Sequence, residues 1–257
     1  MTDHVRTRLD GPVLSLTLAR PEKKNAITDA MYQAMAAAVT RAETDPAVRV
    51  LLIDSAGEDF SAGNDLGDFL AQNQAGRRQE ELGVTVFLKA LAAAEKPIVA
   101  AVTGQAVGIG VTMLLHCDLV FVARDARLST PFVNLAVVPE AASSLLLPAA
   151  VGYRRAYAMF ALGEAVSGET AAAWGLANEA LDAPLVYERA RTAAEALAQR
   201  PAGSLVITKR LMRDAAALAE RMDLESGHFR DRLVSAEARE ALQAFFEKRK
   251  PDFSKAG

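Results

Sequence analysis

The chain has a single cysteine, Cys117, among its 257 residues. That excludes an intramolecular disulfide and a cysteine-based metal cluster, and it fits a reducing compartment. Histidine is almost as scarce: His4, His116 and His228 are the three, and no two stand at metal-ligand spacing, so no metal site is expected. Positive charge is not in excess either. With 29 Lys and Arg against 32 Asp and Glu, the formal net charge is -3, which argues against the basic surface that nucleic acid requires. A local basic pocket for a phosphate-bearing ligand is still compatible with that balance. The first residues, MTDHVRTRLDGPVL, lack the apolar core of a signal peptide, and the closing FSKAG carries no address or lipidation signal. The expectation is a cytoplasmic protein.

What is present is apolar. Hydrophobic residues make up 51% of the chain, enough for a sizeable core in one large domain or in a core with an appendage. From Pro97 to Cys117, PIVAAVTGQAVGIGVTMLLHC runs 21 residues without Lys, Arg, Asp or Glu, a length that could span a bilayer. The glycines at 104, 108 and 110 break that run. They divide it into a Val/Ala strand, a turn and a short buried helix, which places it inside a soluble core, with no membrane partner.

The first two thirds alternate between strand and helix. GPVLSLTLAR alternates apolar and polar residues, TDAMYQAMAAAVTRAETD has helical spacing after Thr28, and VRVLLIDSAG reads as a buried strand ending in glycine. A helix over roughly Leu82 to Glu95, a strand in DLVFVARD and a helix opening at Pro139 continue the series, which implies an α/β architecture with mostly parallel strands. Beyond about Tyr153 only helices are expected, with stops at Gly152, Gly163, Gly175 and Pro201. We place a core over residues 1–200 and a helical C-terminal region over 201–257, whose apolar stripe needs a partner surface.

One carboxylate stands out. In VVPEAASSLLLP (Val137 to Pro148), Glu140 is the sole charge among apolar and hydroxyl side chains. Locally it reads as a cap: Pro139 suits the first helical position and a Glu in that turn faces the positive end of the helix dipole. The alternative is chemistry.

RPEKKNAI (Arg20 to Ile27), DFSAGNDL (Asp59 to Leu66), KPIVAAVTGQAVGIG (Lys96 to Gly110), CDLVFVARDARLSTPF, PEAASS, WGLANEA and AFFEKRKPDF follow one another in that order. This series resembles the crotonase superfamily, the enoyl-CoA hydratases and isomerases, over nearly the whole chain. The resemblance implies a crotonase, ClpP-like spiral of strand-helix units with a helical C-terminal layer, assembled as a trimer or a pair of trimers. It implies an acyl-CoA thioester as substrate and no separate cofactor, since CoA is part of the substrate. It also implies an oxyanion hole from the backbone N–H groups of Asn64 and Ile109. Such donors suit an enolate, and glycine-rich turns let a backbone approach it closely.

At the positions of the two glutamates that the family's hydratases use, this chain has Thr112 and Phe132, and neither can serve as acid or base. SAGNDL, TPF and PEAASS resemble the peroxisomal-type 3,2-enoyl-CoA isomerase branch, in which Glu140 matches the single base. That implies a proton taken from C2 of a 3-enoyl-CoA and returned to C4. The resemblance further assigns substrate contacts to Lys24 and Ala26, to the loop Ala62, Gly63, Asp65 and Leu66, to Gly108 and Phe132, and to Phe245 and Lys248 of the terminal helix. Asp65, Asp118, Trp174 and the histidines otherwise read as structural. A hydratase with atypical residues and a non-catalytic acyl-CoA binder are the alternatives.

Overall fold

The computed structural model describes residues 2–68, 71 and 79–255. Its main sheet has six strands, β1 (Val5–Asp10), β2 (Val13–Leu18), β3 (Val50–Ser55), β4 (Ile98–Val102), β6 (Leu119–Ala123) and β9 (Glu179–Leu181), in the order β1-β2-β3-β4-β6-β9. A second sheet joins β5 (Gln105–Val107), β7 (Arg127–Ser129) and β8 (Val166–Ser167). Only β1–β2 and β7–β8 are antiparallel; every other pairing is parallel.

The residues account for that order. VLLI of β3 and IVAAV of β4 are continuous apolar runs, as strands covered on both faces must be, and β4 is buried throughout. VRTRLD, with three charges, occupies the edge, where exposed charge discourages pairing with another chain. Registers such as Val13 with Val50 and Leu51 with Ile98 set these runs side by side. The 21-residue apolar run resolves into β4, β5, helix α3 (Ile109–Thr112) and a 3-10 turn over Met113–His116, as its glycines indicate. Among the described residues, no helix is long and apolar enough to cross a membrane.

Helix α1 (Asp29–Thr44) starts where Thr28 accepts a hydrogen bond from the Met31 N–H at 3.3 Å. It buries Met31, Met35, Val39 and Ala42 at helical spacing and packs against α2 (Gly83–Ala93). Later come α4 (Ser143–Val151), α5 (Tyr153–Ala161), α6 (Gly168–Trp174) and α7 (Ala183–Ala198), the last lying across β3, β4 and β6. The terminal layer is α8 (Ala202–Met212), α9 (Ala215–Leu233) and α10 (Ala236–Phe246), with α9 and α10 begun by the capping side chains of Asp214 and Ser235.

Two expectations are corrected. Strands do not end near Tyr153: β8 and β9 follow, but at two and three residues they are too short to show a period-2 pattern. The helix read from Pro139 begins instead at Ser143. Ala141 and Ala142 stand before it at φ 64° and 55°, a left-handed conformation that costs an alanine ~1–2 kcal/mol. Glu140 therefore lies outside the helix and does not cap it.

Candidate active site

Two glycine-bearing loops are laced together at the centre of the molecule. Ser61 forms a parallel bridge with Ala106; its N–H donates to the Gln105 carbonyl at 2.9 Å, and its own carbonyl accepts from the Val107 N–H at 2.9 Å. Asn64 and Ile109 each follow the bridged residue by three positions, so the lacing brings both to the wall of one cleft. The close approach requires Gly63. Its φ is +89°, and a Cβ there would stand 2.9 Å from the Val107 carbonyl oxygen. Among the described residues, the backbone N–H groups of Asn64 and Ile109 donate to no acceptor. Two unpaired donors on one wall are a ready site for a developing oxyanion.

A second turn braces the first loop. Pro21–Lys23 form a 3-10 turn, after which Lys24 and Asn25 adopt φ 51° and 53°. The fully buried Asn25 holds this geometry: Oδ1 accepts from the Arg20 N–H at 2.7 Å, and Nδ2 donates to the carbonyls of Ala56 and Asp59 at 2.9 and 2.8 Å. Backbone bonds from Ala62 to Lys24, Ile27 to Gly63 and Asp65 to Ile27 complete the clamp. Asp65 is tied down as well. Burial opposes its charge, but the Arg20 guanidinium at 2.8 Å and the Asp68 N–H hold its carboxyl below the usual range.

The cleft has a volume of about 790 Å³. Its walls include Ala26, Ala62, Gly63, Asp65 and Leu66 from one side and Gly108, Phe132 and Phe245 from the other, beside Asn64 and Ile109. Lys24 and Lys248 are not on these walls. Lys24 Nζ lies 3.4 Å from Asp59, and Lys248 falls two residues past the end of α10 at φ 55°. Among the described residues, the cations on the walls are Lys23 and Arg249, and Arg249 is already engaged by Glu240 and Glu247.

A smaller pocket of about 60 Å³ shares Asn64, Phe229 and Leu233 with the cleft and has Glu140 on its wall. Leu82, Val84, Leu88 and Met222 give it an apolar side, and the exposed Lys89, Asp223 and Arg230 line it as well. Thr112 Oγ1 donates to Glu140 Oε1 at 2.8 Å. Burial raises the Glu140 carboxyl to about 7, against the opposing hydrogen bond from Thr112 and with help from the nearby charge of Glu225. A carboxyl poised there accepts and releases a proton near neutrality with little bias. On the opposite side Tyr32 donates its hydroxyl to Asn64 Oδ1 at 2.5 Å. Burial and the Glu140 charge push that phenol well above its ordinary value, so it acts as a donor that fixes the asparagine rotamer.

The turn bearing Glu140 is held from two directions. The Ala142 and Ser144 N–H groups donate to the two carboxylate oxygens of Glu225, on α9, at 2.6 and 2.9 Å. His116 Nε2 bonds the Ala141 carbonyl at 2.8 Å, and its Nδ1 accepts from Arg213. Burial first, and then Arg213, press the His116 pKa down to about 3, so the ring is neutral and donates through Nε2.

The constellation is one buried carboxyl, Glu140, on the wall of a small pocket that shares Asn64 with a cleft bearing two unpaired N–H donors. Residues 9–256 match the family model described as enoyl-CoA hydratase/isomerase. The chain belongs to that family. It is 32% identical over 262 residues to the 1,2-epoxyphenylacetyl-CoA isomerase of Escherichia coli (strain K12), covering 99% of both chains. It is 34% identical over 247 residues to enoyl-CoA delta isomerase 2 of Rattus norvegicus, covering 94% of this chain and 63% of that protein. A crystal structure of an enoyl-CoA hydratase/isomerase from Pseudoalteromonas atlantica T6c superposes with a TM-score of 0.92 at 39% identity, covering 98% of this chain and all of that one. The crotonase fold and the helical C-terminal layer are thus shared with solved family members.

Within this enoyl-CoA hydratase/isomerase, Asn25, Tyr32, Glu225 and the His116–Arg213 pair escape sequence reasoning. Asn25 alone had a local signal, an amide in the turn of the RPEKKNAI motif. The other partners meet across 25 to 97 residues of chain. Asp118 proves structural in its contacts, accepting from the Ile98 N–H at 2.7 Å and from Lys209 at 2.8 Å, and Trp174 stacks under Arg155 at 4.9 Å.

Proposed function

We propose that the protein is an enoyl-CoA isomerase that converts a 3-enoyl-CoA to the trans-2-enoyl-CoA, with Glu140 as its only acid-base group. The observation that carries this reading is the buried Glu140 carboxyl on the wall of the smaller pocket, bonded to Thr112 and raised to about 7. Hydration across a double bond needs a second carboxyl to manage water. Thr112 and Phe132 supply none, Glu225 is committed to backbone N–H groups, and the other carboxyl on the pocket wall, Asp223, is exposed and paired with Lys89 at 3.4 Å.

The steps follow from the geometry. The thioester oxygen sits between the N–H groups of Asn64 and Ile109. Glu140 removes a proton from C2, and the electrons move into C1=C2 and onto that oxygen, giving a dienolate conjugated with C3=C4. The same carboxyl, now protonated, delivers the proton to C4 while the C2=C3 bond forms. One group suffices because its proton affinity is similar in both directions, and the apolar side of the pocket keeps water from the dienolate. The pantetheine and nucleotide would follow the larger cleft, where exposed Lys23 stands on the wall to meet a phosphate.

Assembly into trimers or a pair of trimers belongs to the same reading, with residues 201–257 as the assembling region. Helix α8 buries none of its residues, and Leu211 and Met212 are each 83% exposed. Apolar side chains so placed favour a neighbouring subunit.

Isotope transfer tests the chemistry. A 3-enoyl-CoA dideuterated at C2 should become conjugated and carry part of its deuterium at C4. Absence of conjugation would refute the isomerase reading, and conjugation with only solvent hydrogen at C4 would refute the single shielded base.

A further inference from the structure

Helix α9 touches the site twice. Met222, Ser226 and Phe229 line the acyl pocket, and Glu225, on the same stretch of helix, is 5% exposed and turned onto the loop that carries Glu140. Its two oxygens accept from the Ala142 and Ser144 N–H groups, so it caps α4 from 81 residues away. Ala141 and Ala142 are left-handed without being glycine, and such a turn persists only where its surroundings over-determine it. The surroundings that do so are Glu225 on the N–H side and His116, steadied by Arg213, on the carbonyl side.

We propose that Glu225 is a positioning residue for Glu140: by holding the left-handed turn it aims the base at C2 and C4. The proposal rests on the isomerase reading for the meaning of the turnover it affects. Glu225 is not itself a catalytic residue, since it does not line the pocket and both its oxygens are occupied. Among the described residues, Tyr32 approaches Glu140 from α1, Arg221 approaches Glu225 from α9, and neutral His116 with Arg213 stands behind Ala141. Lys89 of α2, paired with Asp223 of α9 at 3.4 Å, and Arg230 of α9 line the pocket that Glu140 shares. Of these, Glu225 is the one whose negative charge raises Glu140.

Two variants of the full-length protein separate geometry from charge. In Glu225→Gln the amide accepts one N–H and turns its own donor toward the other, and the negative charge is gone. Turnover of a 3-enoyl-CoA should fall on the order of 100-fold, the usual cost of a misplaced reacting group, with KM within a few-fold. The Glu140 titration midpoint should move to lower pH. It is read from 13C-carboxyl glutamate resonances, with Glu140 identified by its loss in Glu140→Gln. In Glu225→Asp the charge stays and the reach shortens, so turnover should fall while the midpoint holds.

Wild-type turnover and an unmoved midpoint in folded Glu225→Gln would overturn the proposal. So would a lowered melting temperature with turnover and midpoint unchanged, which would leave Glu225 a helix cap only. If Glu225→Gln does not fold, undiminished turnover in Glu225→Asp overturns it equally. A wild type that fails to conjugate the substrate would refute the isomerase reading, while the carboxyl titration would still decide whether Glu225 governs Glu140.

Discussion

Replacing Glu140 with glutamine removes one ionisable proton site and almost nothing else. The amide oxygen can still accept from Thr112 Oγ1, and the side-chain volume is conserved. Two consequences follow, with opposite signs. Turnover of a 3-enoyl-CoA should drop by ~100 to 10,000-fold, because the amide cannot take the C2 proton. Stability at alkaline pH should rise. The wild-type carboxyl is raised from an ordinary 4.5 to about 7, so the folded state binds more protons than the unfolded state across that window. Its stability therefore falls as pH rises through the window and stays low above it. At ~1.4 kcal/mol per pK unit, the loss above the window is at most ~3–4 kcal/mol, and glutamine escapes it. For a chain of this size that corresponds to at most ~6–16 °C in melting temperature. The assay pairs the absorbance of the conjugated thioester with thermal melts of both proteins at pH 5 and pH 8. The variant should melt higher than wild type, by a margin that widens from pH 5 to pH 8. Near-normal turnover, or a margin that is the same at both pH values, would refute the assignment of a buried, neutral-poised base.

The pH dependence of kcat/KM follows from the same group: the rate should climb as pH rises through about 7, where the free carboxyl loses its proton, and level off above; a limb near 4.5 would show an ordinary exposed glutamate. Asn64→Ala should turn over within a few-fold of wild type but lose ~1–3 kcal/mol of stability, because the buried Tyr32 hydroxyl loses its acceptor. Asn64→Pro removes the backbone donor and should cost ~100 to 1,000-fold in turnover in a folded, CoA-ester-binding variant; equal damage from alanine would make the side chain the active group. Light scattering on the purified protein should give the mass of three or six chains, and a monomer at micromolar concentration would contradict the role given to the C-terminal helices.

The sheet was legible because its strands are either continuous apolar runs, as in VLLI and IVAAV, or charged edges, as in VRTRLD. The two laced loops were legible because glycines at 63 and 108 mark backbone that must turn sharply or approach something closely. The turn at Glu140 was not. Alanine favours a helix, and Pro139 is a good first residue for one, so Pro139-Glu140-Ala141-Ala142 reads locally as a helix start. What diverts it is tertiary: Glu225 supplies the anion that Glu140 was expected to supply, and His116 takes the Ala141 carbonyl. A contact across 25 residues or more leaves no periodic trace. The same holds for phosphate contacts, where adjacent lysines at 23 and 24 differ only in that the turn presents the first to the cleft and the second to Asp59.

The measurement that bears most directly on the whole account offers the purified protein a 3-enoyl-CoA and a trans-2-enoyl-CoA in parallel. One carboxyl, with threonine and phenylalanine at the two hydratase positions, should conjugate the first at a rate that Glu140→Gln abolishes, and should scarcely hydrate the second. Rapid hydration of the 2-enoyl-CoA with no conjugation of the 3-enoyl-CoA would contradict it.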